Sequence, residues 1–182
     1  MKITDTKLPD VKLIEPMVFE DERGYFFESF NHKKFELAIG RKVTFVQDNH
    51  SKSGKGVLRG MHYQLPPHAQ GKLVRAVQGE VFDVVVDMRK SSPTFGQSIC
   101  EIISEKNKKQ LWIPEGFAHG FLVMSETAEV LYKTTKYYAP NCEQVLNYRD
   151  KRTGIVWPNN YPIRVSEKDL LGLNFIEAHF FD

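Results

Sequence analysis

The chain has 182 residues, of which 41% are hydrophobic and 12% aromatic, and its formal net charge is +2. This length fits a single domain over residues 1–182, since domains most often contain about 100–150 residues and all-β domains more. Basic and acidic residues are intermixed, so the chain lacks the dense basic stripe that duplex nucleic acid requires, and we expect no nucleic-acid partner. A small anionic ligand remains compatible, because it needs only a few well-aimed cations.

The N-terminus and the cysteines indicate the compartment. Met1–Asp5 lacks the apolar run of a signal peptide, and no stretch is long enough to cross a bilayer. Cys100 and Cys142 are therefore expected to be reduced thiols, and their spacing matches no zinc site. These features predict a cytoplasmic protein without membrane contact.

In chain order, the first predicted element is a helix over Asn31–Ile39, which Gly40 ends. Short runs rich in β-branched and aromatic residues follow, separated by glycine and proline. They predict strands at Gly56–Gln64, Lys72–Val77, Glu80–Met88, Gln97–Ser104, Lys109–Ile113, Gly120–Met124 and Ala128–Tyr138. Gln78-Gly79 is a pair typical of tight hairpin turns. A last helix is predicted over Ser166–Leu171, ended by Gly172.

No repeat or linker-like stretch interrupts this pattern. It predicts an all-β sandwich or barrel with few helices, whose mouth could hold a small ligand. Every second residue of a strand shares a face, so His62 and Gln64 share a face with Leu58 and Gly60. The polar side chains of His62 and Gln64 on this face indicate that the interior of the barrel is accessible to water. The last predicted strand presents a second such set, namely Val130, Tyr132, Thr134, Lys136 and Tyr138.

Two segments resemble the paired motifs of the cupin superfamily. Gly56–His62 has the glycine and histidine spacing of the first motif, and Pro114–His119 has the Pro-x-Gly-x-x-His of the second. A metal-binding cupin also needs a second histidine and a glutamate in the first motif, where this chain has Gln64 and Pro67–Ala69. Two histidines without the carboxylate leave a divalent metal under-coordinated, and His68 follows a proline pair that indicates a loop. We therefore predict no metal.

The remaining candidates suit proton transfer, although each has a structural alternative. His62 is of the residue type best suited to act as a base near neutral pH, but a lone strand histidine is usually structural. Lys72 could stabilise a developing enolate or simply be a solvated strand end. Tyr132 could deliver a proton, yet barrel tyrosines mostly pack. Asp169 could orient His62, or it could form a helix capping box with Ser166.

Taken together, ordered blocks over nearly the whole chain resemble the dTDP-4-dehydrorhamnose 3,5-epimerase family. They are Phe19–Glu28, Phe45–Ser51, Gly56–Gln64, Gly71-Lys72, Trp112–Phe121, Tyr132–Thr135, Tyr137–Pro140 and Ser166–Asp169. The resemblance implies a cupin-like double-stranded β-helix (jelly-roll) barrel, usually a homodimer, with no metal or organic cofactor. It also implies a place in dTDP-L-rhamnose biosynthesis, which supplies lipopolysaccharide or cell-wall polysaccharide.

The resemblance also implies a role for each candidate. His62 would be the base, Asp169 its partner, Lys72 the group that stabilises the enolate, and Tyr132 the acid on the opposite face. Tyr138 would stack on the nucleotide base. The remaining substrate-binding positions would be Arg23 and Arg59 at the diphosphate, together with Glu28, Gln47, Asp48, Asn49, His119, Glu143 and Lys168.

One difficulty follows from strand parity. Arg59 and His62 fall on opposite faces of the predicted strand, yet both should meet the substrate. A β-bulge, or a pocket completed by a partner chain, would resolve this.

The expected reaction converts dTDP-4-dehydro-6-deoxy-D-glucose to dTDP-4-dehydro-L-rhamnose by proton abstraction through an enolate. It involves no redox step, in agreement with a sequence that lacks a Gly-x-Gly-x-x-Gly motif and a phosphate loop. Three alternatives remain: an epimerase acting at one carbon only, a metal-dependent cupin enzyme, and a sugar-nucleotide binding module without catalysis.

Overall fold

The computed structural model describes residues 1–158 and 160–182. The first part contains strands β1 to β5 and helix α1, namely β1 Lys2–Asp5, β2 Lys12–Glu15, β3 Val18–Asp21, β4 Gly24–Phe27, α1 His32–Ile39 and β5 Gln47–Gly54. Eight further strands follow: β6 Leu58–Gln64, β7 Lys72–Gln78, β8 Glu80–Asp87, β9 Ser98–Ser104, β10 Gln110–Ile113, β11 Phe117–Val123, β12 Thr127–Thr134 and β13 Glu143–Val145. Helix α2 spans Glu167–Leu170, and 3₁₀ turns occur at Pro140–Cys142, Lys151–Thr153 and Phe175–Glu177.

Two antiparallel sheets form the body of the fold. One has six strands in the order β1-β2-β10-β7-β12-β5, and the other has five in the order β13-β6-β11-β8-β9. Among the described residues, strands β3 and β4 pair only with each other, as a separate hairpin. We call this hairpin, Val18–Phe27, the N-terminal arm. The predicted all-β fold with a few short helices is confirmed.

The main core lies between the two sheets. Val74 and Val130 of the six-stranded sheet pack in one cluster with Val81, Val85 and Phe121 of the five-stranded sheet. Since residues two apart share a face, this cluster identifies the inward-facing positions of β7, β8, β11 and β12. Lys72, Asp83, His119 and Tyr132 have the same parity as these core residues.

Each sheet is also covered on its outer face. Phe35 of α1 packs with Trp112 and Leu73 against the six-stranded sheet. Leu146 and Tyr148, from the segment after β13, pack with residues of β6, β8 and β11 that include Met61, Val84 and Leu122. Both sheets are therefore held from both sides.

The predicted strands all exist, with two differences. β12 ends at Thr134, so Lys136 and Tyr138 lie beyond the strand; the Thr134 hydroxyl donates to the Lys136 carbonyl at 2.8 Å, a local bond that competes with the ladder. Gln78-Gly79 does not form a hairpin, because β7 and β8 belong to different sheets. The turn passes the chain from one sheet to the other, with Gly79 at φ 71°.

Sequence reasoning missed β1 to β5 and β13. These strands are short or rich in polar residues; β5 reads Gln-Asp-Asn-His-Ser-Lys-Ser-Gly and pairs along its whole length with β12. Their pairing comes from neighbouring strands rather than from local propensity.

Both predicted helices form, with capping residues at their starts. The Asn31 side chain accepts from the Lys34 amide, and Gly40 ends α1 in the left-handed region at φ 73°. The Ser166 side chain caps α2 by accepting from the Asp169 amide. Within residues 1–158 and 160–182, neither helix has the length and apolar character required to cross a membrane.

Candidate active site

A cavity of about 260 Å³ lies between the two sheets. His62 on β6 and Glu143 on β13 come from the five-stranded sheet, whereas Lys72 on β7 and Tyr132 on β12 come from the six-stranded sheet. We call this space the central cavity. Its full lining is Gln47, Asn49, His62, Tyr63, Gln64, Gln70, Lys72, Tyr132, Tyr138 and Glu143.

His62 is held by a buried carboxylate. Its Nε2 lies 2.6 Å from Oδ1 of Asp169, which is only 4% exposed and also accepts from the Gly60 amide at 3.3 Å. Burial alone would raise the pKa of Asp169, but the hydrogen bond and charge of His62 and the Gly60 amide outweigh it, so the pKa lies below its ordinary value. This carboxylate fixes the orientation of the imidazole.

Within the described residues Asp169 forms one half of the predicted capping box, the bond from its amide to Ser166, because its carboxylate is bound to His62 and the Gly60 amide. Its backbone amide donates to the Ser166 hydroxyl at 3.1 Å and caps α2, while its carboxylate binds His62. The cap thus sets the start of the helix that delivers the carboxylate to the histidine.

A β-bulge resolves the parity of Arg59 and His62. Opposite β11, His119 pairs with His62 and Phe121 pairs with Arg59, so three steps along β6 match two along β11. The extra residue brings both side chains towards the same side. Arg59 is exposed, and its Nε donates to the Ser53 hydroxyl at 2.9 Å.

Lys72 is a buried ammonium beside His62. Its Nζ donates to the His62 carbonyl at 3.1 Å, and only 7% of the residue is exposed. Burial lowers the pKa of Lys72 to about 8, although the negative charges of Glu143 and Asp83 act against this. The ammonium is therefore poised to lose its proton slightly above neutral pH.

Tyr132 lies in the wall opposite His62. It sits beside Val74 of β7 and Asn49 of β5 in the six-stranded sheet. Burial raises the pKa of its phenol, which Arg59 partly counteracts. The phenol therefore stays protonated at neutral pH and can act as a proton donor.

His119 lies behind the central cavity, next to His62 in the sheet. Its Nε2 is 3.0 Å from both carboxylate oxygens of Asp83, which is fully buried. Burial lowers the pKa of His119, against the effect of Asp83. Sequence reasoning missed Asp83, although an aspartate inside the apolar run of β8 was a visible signal.

Polar side chains form the mouth of the cavity. Glu143 accepts from the Tyr138 hydroxyl at 2.6 Å and from the Lys168 ammonium. Burial works to raise the pKa of Glu143, but these two hydrogen bonds keep it below its ordinary value. Gln47 donates to Asn49 at 2.9 Å and accepts from the Tyr138 amide at 3.1 Å.

Three predicted residues lie elsewhere. Arg23, in the turn of the N-terminal arm, is exposed and pairs with Asp21. Glu28 pairs with Lys34 at 3.1 Å and lines a different cleft. Asp48 pairs with Lys133 and also faces another cleft, since it alternates with Gln47 and Asn49 along β5.

Gln70, Tyr63 and Gln64 line the cavity without having been predicted as site residues. Gln64 donates to the His68 carbonyl at 2.7 Å and accepts from the Ala139 amide at 2.9 Å, so its amide is engaged by the backbone. Within the described part of the chain, no three His, Cys, Asp or Glu side chains are grouped to hold a metal ion.

Comparison with known proteins identifies the family. The family model described as dTDP-4-dehydrorhamnose 3,5-epimerase matches residues 5–177. The chain is 59% identical to the dTDP-4-dehydrorhamnose 3,5-epimerase of Shigella flexneri, over 100% of this chain and 99% of that protein. The chain belongs to the dTDP-4-dehydrorhamnose 3,5-epimerase family. The predictions of this family and of an isomerase are confirmed.

Two solved structures show how far the likeness extends. The dTDP-6-deoxy-D-glucose-3,5-epimerase of Legionella pneumophila, solved with dTDP-4-keto-L-rhamnose, is 48% identical and has a TM-score of 0.94, covering 98% of this chain and 94% of that one. ChmJ, a 3'-monoepimerase of Streptomyces bikiniensis solved with dTDP-quinovose, is 31% identical with a TM-score of 0.89, covering 94% and 86%. These likenesses confirm the cupin-like fold, which epimerases acting at different numbers of carbons share.

Proposed function

We propose that the chain epimerises both C3 and C5 of dTDP-4-dehydro-6-deoxy-D-glucose, giving dTDP-4-dehydro-L-rhamnose for dTDP-L-rhamnose biosynthesis. One observation carries this proposal. His62 and Tyr132 reach the same cavity from opposite sheets, and Lys72 lies beside His62. Inverting a carbon centre requires one group on each face of the sugar, and this arrangement supplies them.

His62 removes the proton from carbon beside the C4 ketone, and Asp169 stabilises the imidazolium that forms. The negative charge moves to the C4 oxygen, where the Lys72 ammonium receives it. A donor placed where charge develops contributes about 10²–10³ in rate. Tyr132 then protonates the carbon from the other face; a placed acid or base contributes about 10²–10⁴. The carbon thus loses one proton to His62 and gains another from Tyr132, so its oxidation state does not change.

Substrate binding follows the same arrangement. Tyr138, half exposed at the mouth, stacks on the nucleotide base, and Arg59 holds the diphosphate. Glu143 and Lys168 join α2 to the mouth through their ion pair. The remaining direct contacts come from Gln47 and Asn49, which line the cavity. His119 supports the site from behind His62, and Asp48 faces another cleft.

The same proposal requires a homodimer. Arg23 and Glu28 belong to the N-terminal segment and line other clefts than that of His62. A second copy would supply both residues to the site if the arm reached across the interface. The arm carries exposed apolar side chains, with Phe19 59% and Phe26 71% exposed, which favours coverage by protein.

We also propose that the chain is a single-domain cytoplasmic enzyme. Cys100 and Cys142 are both free thiols, which suits a reducing compartment. The nucleotide-sugar substrate, rather than nucleic acid or a membrane surface, is its partner.

The test is to run the reaction in heavy water with dTDP-4-dehydro-6-deoxy-D-glucose and locate deuterium by NMR. Label at both C3 and C5 is expected, and His62→Ala should abolish it. His50→Ala is the matched control, since His50 pairs with Glu129 and does not line the cavity. Label at neither carbon would contradict the proposal. Label at C3 alone would favour the single-centre activity of the kind named for ChmJ.

A second pair of variants tests the acid. Tyr132→Phe should retain washout of the substrate proton by His62 but lose inversion, because the opposite face then lacks a donor. Tyr148→Phe is the control, since Tyr148 is buried in the outer cluster and its hydroxyl has no hydrogen-bond partner in the described residues.

A further inference from the structure

Asp83 is a buried carboxylate in an apolar strand. It is fully buried within β8, whose sequence is Glu-Val-Phe-Asp-Val-Val-Val-Asp. Its parity matches that of Val81 and Val85, so it points between the two sheets. Burying a carboxylate is costly, and a hydrophobic residue of similar size would often stabilise a core better. Fold stability alone gives a poor reason for an aspartate here.

The contact of Asp83 explains what it does locally. Within the described part of the chain, His119 is its one side-chain hydrogen-bond partner, with Nε2 3.0 Å from each oxygen. A carboxylate accepts hydrogen bonds only, so Nε2 of His119 carries a proton and Nδ1 is left to face other groups. Asp83 thus fixes both the ring orientation and the tautomer of His119.

This pair lies directly behind the groups of the central cavity. His119 is the cross-strand neighbour of His62, and the Asp83 charge also acts on Lys72. The Lys72 ammonium is faced by titratable groups from five strands, namely His62 on β6, Asp83 on β8, His119 on β11, Tyr132 on β12 and Glu143 on β13. Of these, Asp83 and Glu143 are the carboxylates, and Asp83 is the one with no contact to the cavity mouth.

We propose that Asp83 is a positioning residue of the epimerase site, which holds His119 in one orientation and keeps a buried negative charge opposite the Lys72 ammonium. The proposal rests on the proposed function. Asp83 touches no substrate atom; it acts through His119 and Lys72. The negative charge of Asp83 favours the protonated form of Lys72, which must stabilise the negative oxygen of the enolate.

The test is the pH profile of kcat/KM for Asp83→Asn, which keeps the shape of the side chain and removes its charge. The loss of a carboxylate that fixes the orientation and tautomer of a site histidine is expected to lower activity about tenfold or more. In addition, the alkaline limb, where Lys72 loses its proton, should move to lower pH, because one of the two negative charges that raise the pKa of Lys72 is gone. A purely structural role would lower the amount of folded enzyme without moving this limb.

Asp87→Asn is the matched control. Asp87 lies on the same strand and is also fully buried, but it binds Arg89, Ser92 and Thr94 away from the cavity. It should reduce thermal stability and leave the limb in place. A limb that stays fixed in Asp83→Asn, or moves equally in Asp87→Asn, overturns the proposal.

Two further measurements keep the proposal testable if Asp83→Asn folds poorly. In the wild-type protein, ¹⁵N NMR of the histidines should show His119 with its proton on Nε2 through neutral pH; a proton on Nδ1 contradicts the proposal. In the His119→Asn variant, adding Asp83→Asn should lower kcat/KM by a much smaller factor than Asp83→Asn does in the wild type. If the wild-type enzyme incorporates no deuterium, the proposed function fails. If the wild-type enzyme incorporates deuterium and Asp83→Asn leaves kcat/KM and its pH profile unchanged, the proposal for Asp83 alone fails.

Discussion

At the residue scale, the chemistry of this protein depends on charges held in buried positions. His62, Lys72 and Asp169 are individually unremarkable in sequence, and each has a common structural explanation. Their significance comes from a 2.6 Å contact and a 3.1 Å contact that join residues up to 107 positions apart. Such contacts restrict orientation and protonation, which solvated side chains would not do.

Asp169→Asn tests the partner of the base. The amide cannot stabilise the imidazolium and allows the wrong tautomer of His62, so kcat should fall about 10²–10⁴-fold. The fold should persist, because the backbone amide of Asp169 still donates to Ser166. Ser166→Ala is the control: it removes the cap at a cost of about 1 kcal/mol and should affect kcat far less. Steady-state kinetics and thermal melts measure both, and equal losses of kcat would argue against the dyad.

Lys72→Met should inactivate the enzyme and yet stabilise it. The depression of the Lys72 pKa from 10.5 to about 8 corresponds to about 3 kcal/mol of destabilisation while the native ammonium is charged. Below pH 8 the variant should therefore be more stable than the wild type in urea melts. Between pH 8 and 10.5 the unfolded state binds more protons than the native state, so the free energy of unfolding of the wild type rises towards that of the variant. A difference in free energy of unfolding that does not change with pH would contradict this account.

At the element scale, β6 is the strand that assembles the site. Its bulge lies between Arg59 and His62, and Gly60 lies within the bulge at φ 134°. A Cβ on Gly60 would come within 2.5 Å of the Gly120 Cα on β11. The two glycines let β6 and β11 approach closely while the strand changes parity.

Gly60→Ala should therefore destabilise the protein by about 2–5 kcal/mol, since it combines a strained φ with a backbone clash. It should also lower activity by displacing His62 and the Gly60 amide from Asp169. Gly54→Ala on β5 is the control, because its Cβ would meet the Arg164 side chain at an ordinary 3.5 Å. Denaturant melts compare the two; similar small losses would show that the bulge tolerates a side chain.

At the scale of the whole molecule, the N-terminal arm lies outside both main sheets and carries several exposed apolar side chains. Among the described residues its strands pair only with each other, and Phe19, Tyr25 and Phe26, as well as Met17 just before the arm, are all more than half exposed. An isolated two-stranded hairpin is marginally stable in water. A second copy would both cover these side chains and receive Arg23.

Mixing inactive variants tests this arrangement. If Arg23 acts across the dimer, a heterodimer of Arg23→Ala and His62→Ala contains one intact site, and random pairing should restore up to about a quarter of wild-type activity. His62→Ala mixed with Asp169→Asn should restore none, because both residues belong to one site. Native mass spectrometry of the same samples separates the heterodimer from both homodimers by mass and shows whether the subunits have exchanged. No rescue in the first mixture would place Arg23 in the site of its own chain or outside any site.

The sequence by itself determined the all-β class, most of the longer strands, both helices and the family. These follow from local features: β-branched runs, capping residues, and ordered motif blocks spanning most of the chain. It also identified His62, Lys72 and Tyr132 as candidates, because their chemistry is carried by residue type. It left two roles open for Asp169, as the partner of His62 or as a helix cap. It also could not explain how Arg59 and His62 reach the same side of their strand.

The tertiary structure decided what depends on long-range pairing. It places the Asp169 carboxylate against His62 and contains a bulge in β6 that brings Arg59 to the same side as His62. It also places β7 and β8 in different sheets. It also revealed Asp83 behind His119, and it separated Arg23 and Glu28 from the cavity that His62 lines. None of these can be read locally, because a side chain acquires its charge state and direction from strands that are distant in sequence and adjacent only in the folded barrel.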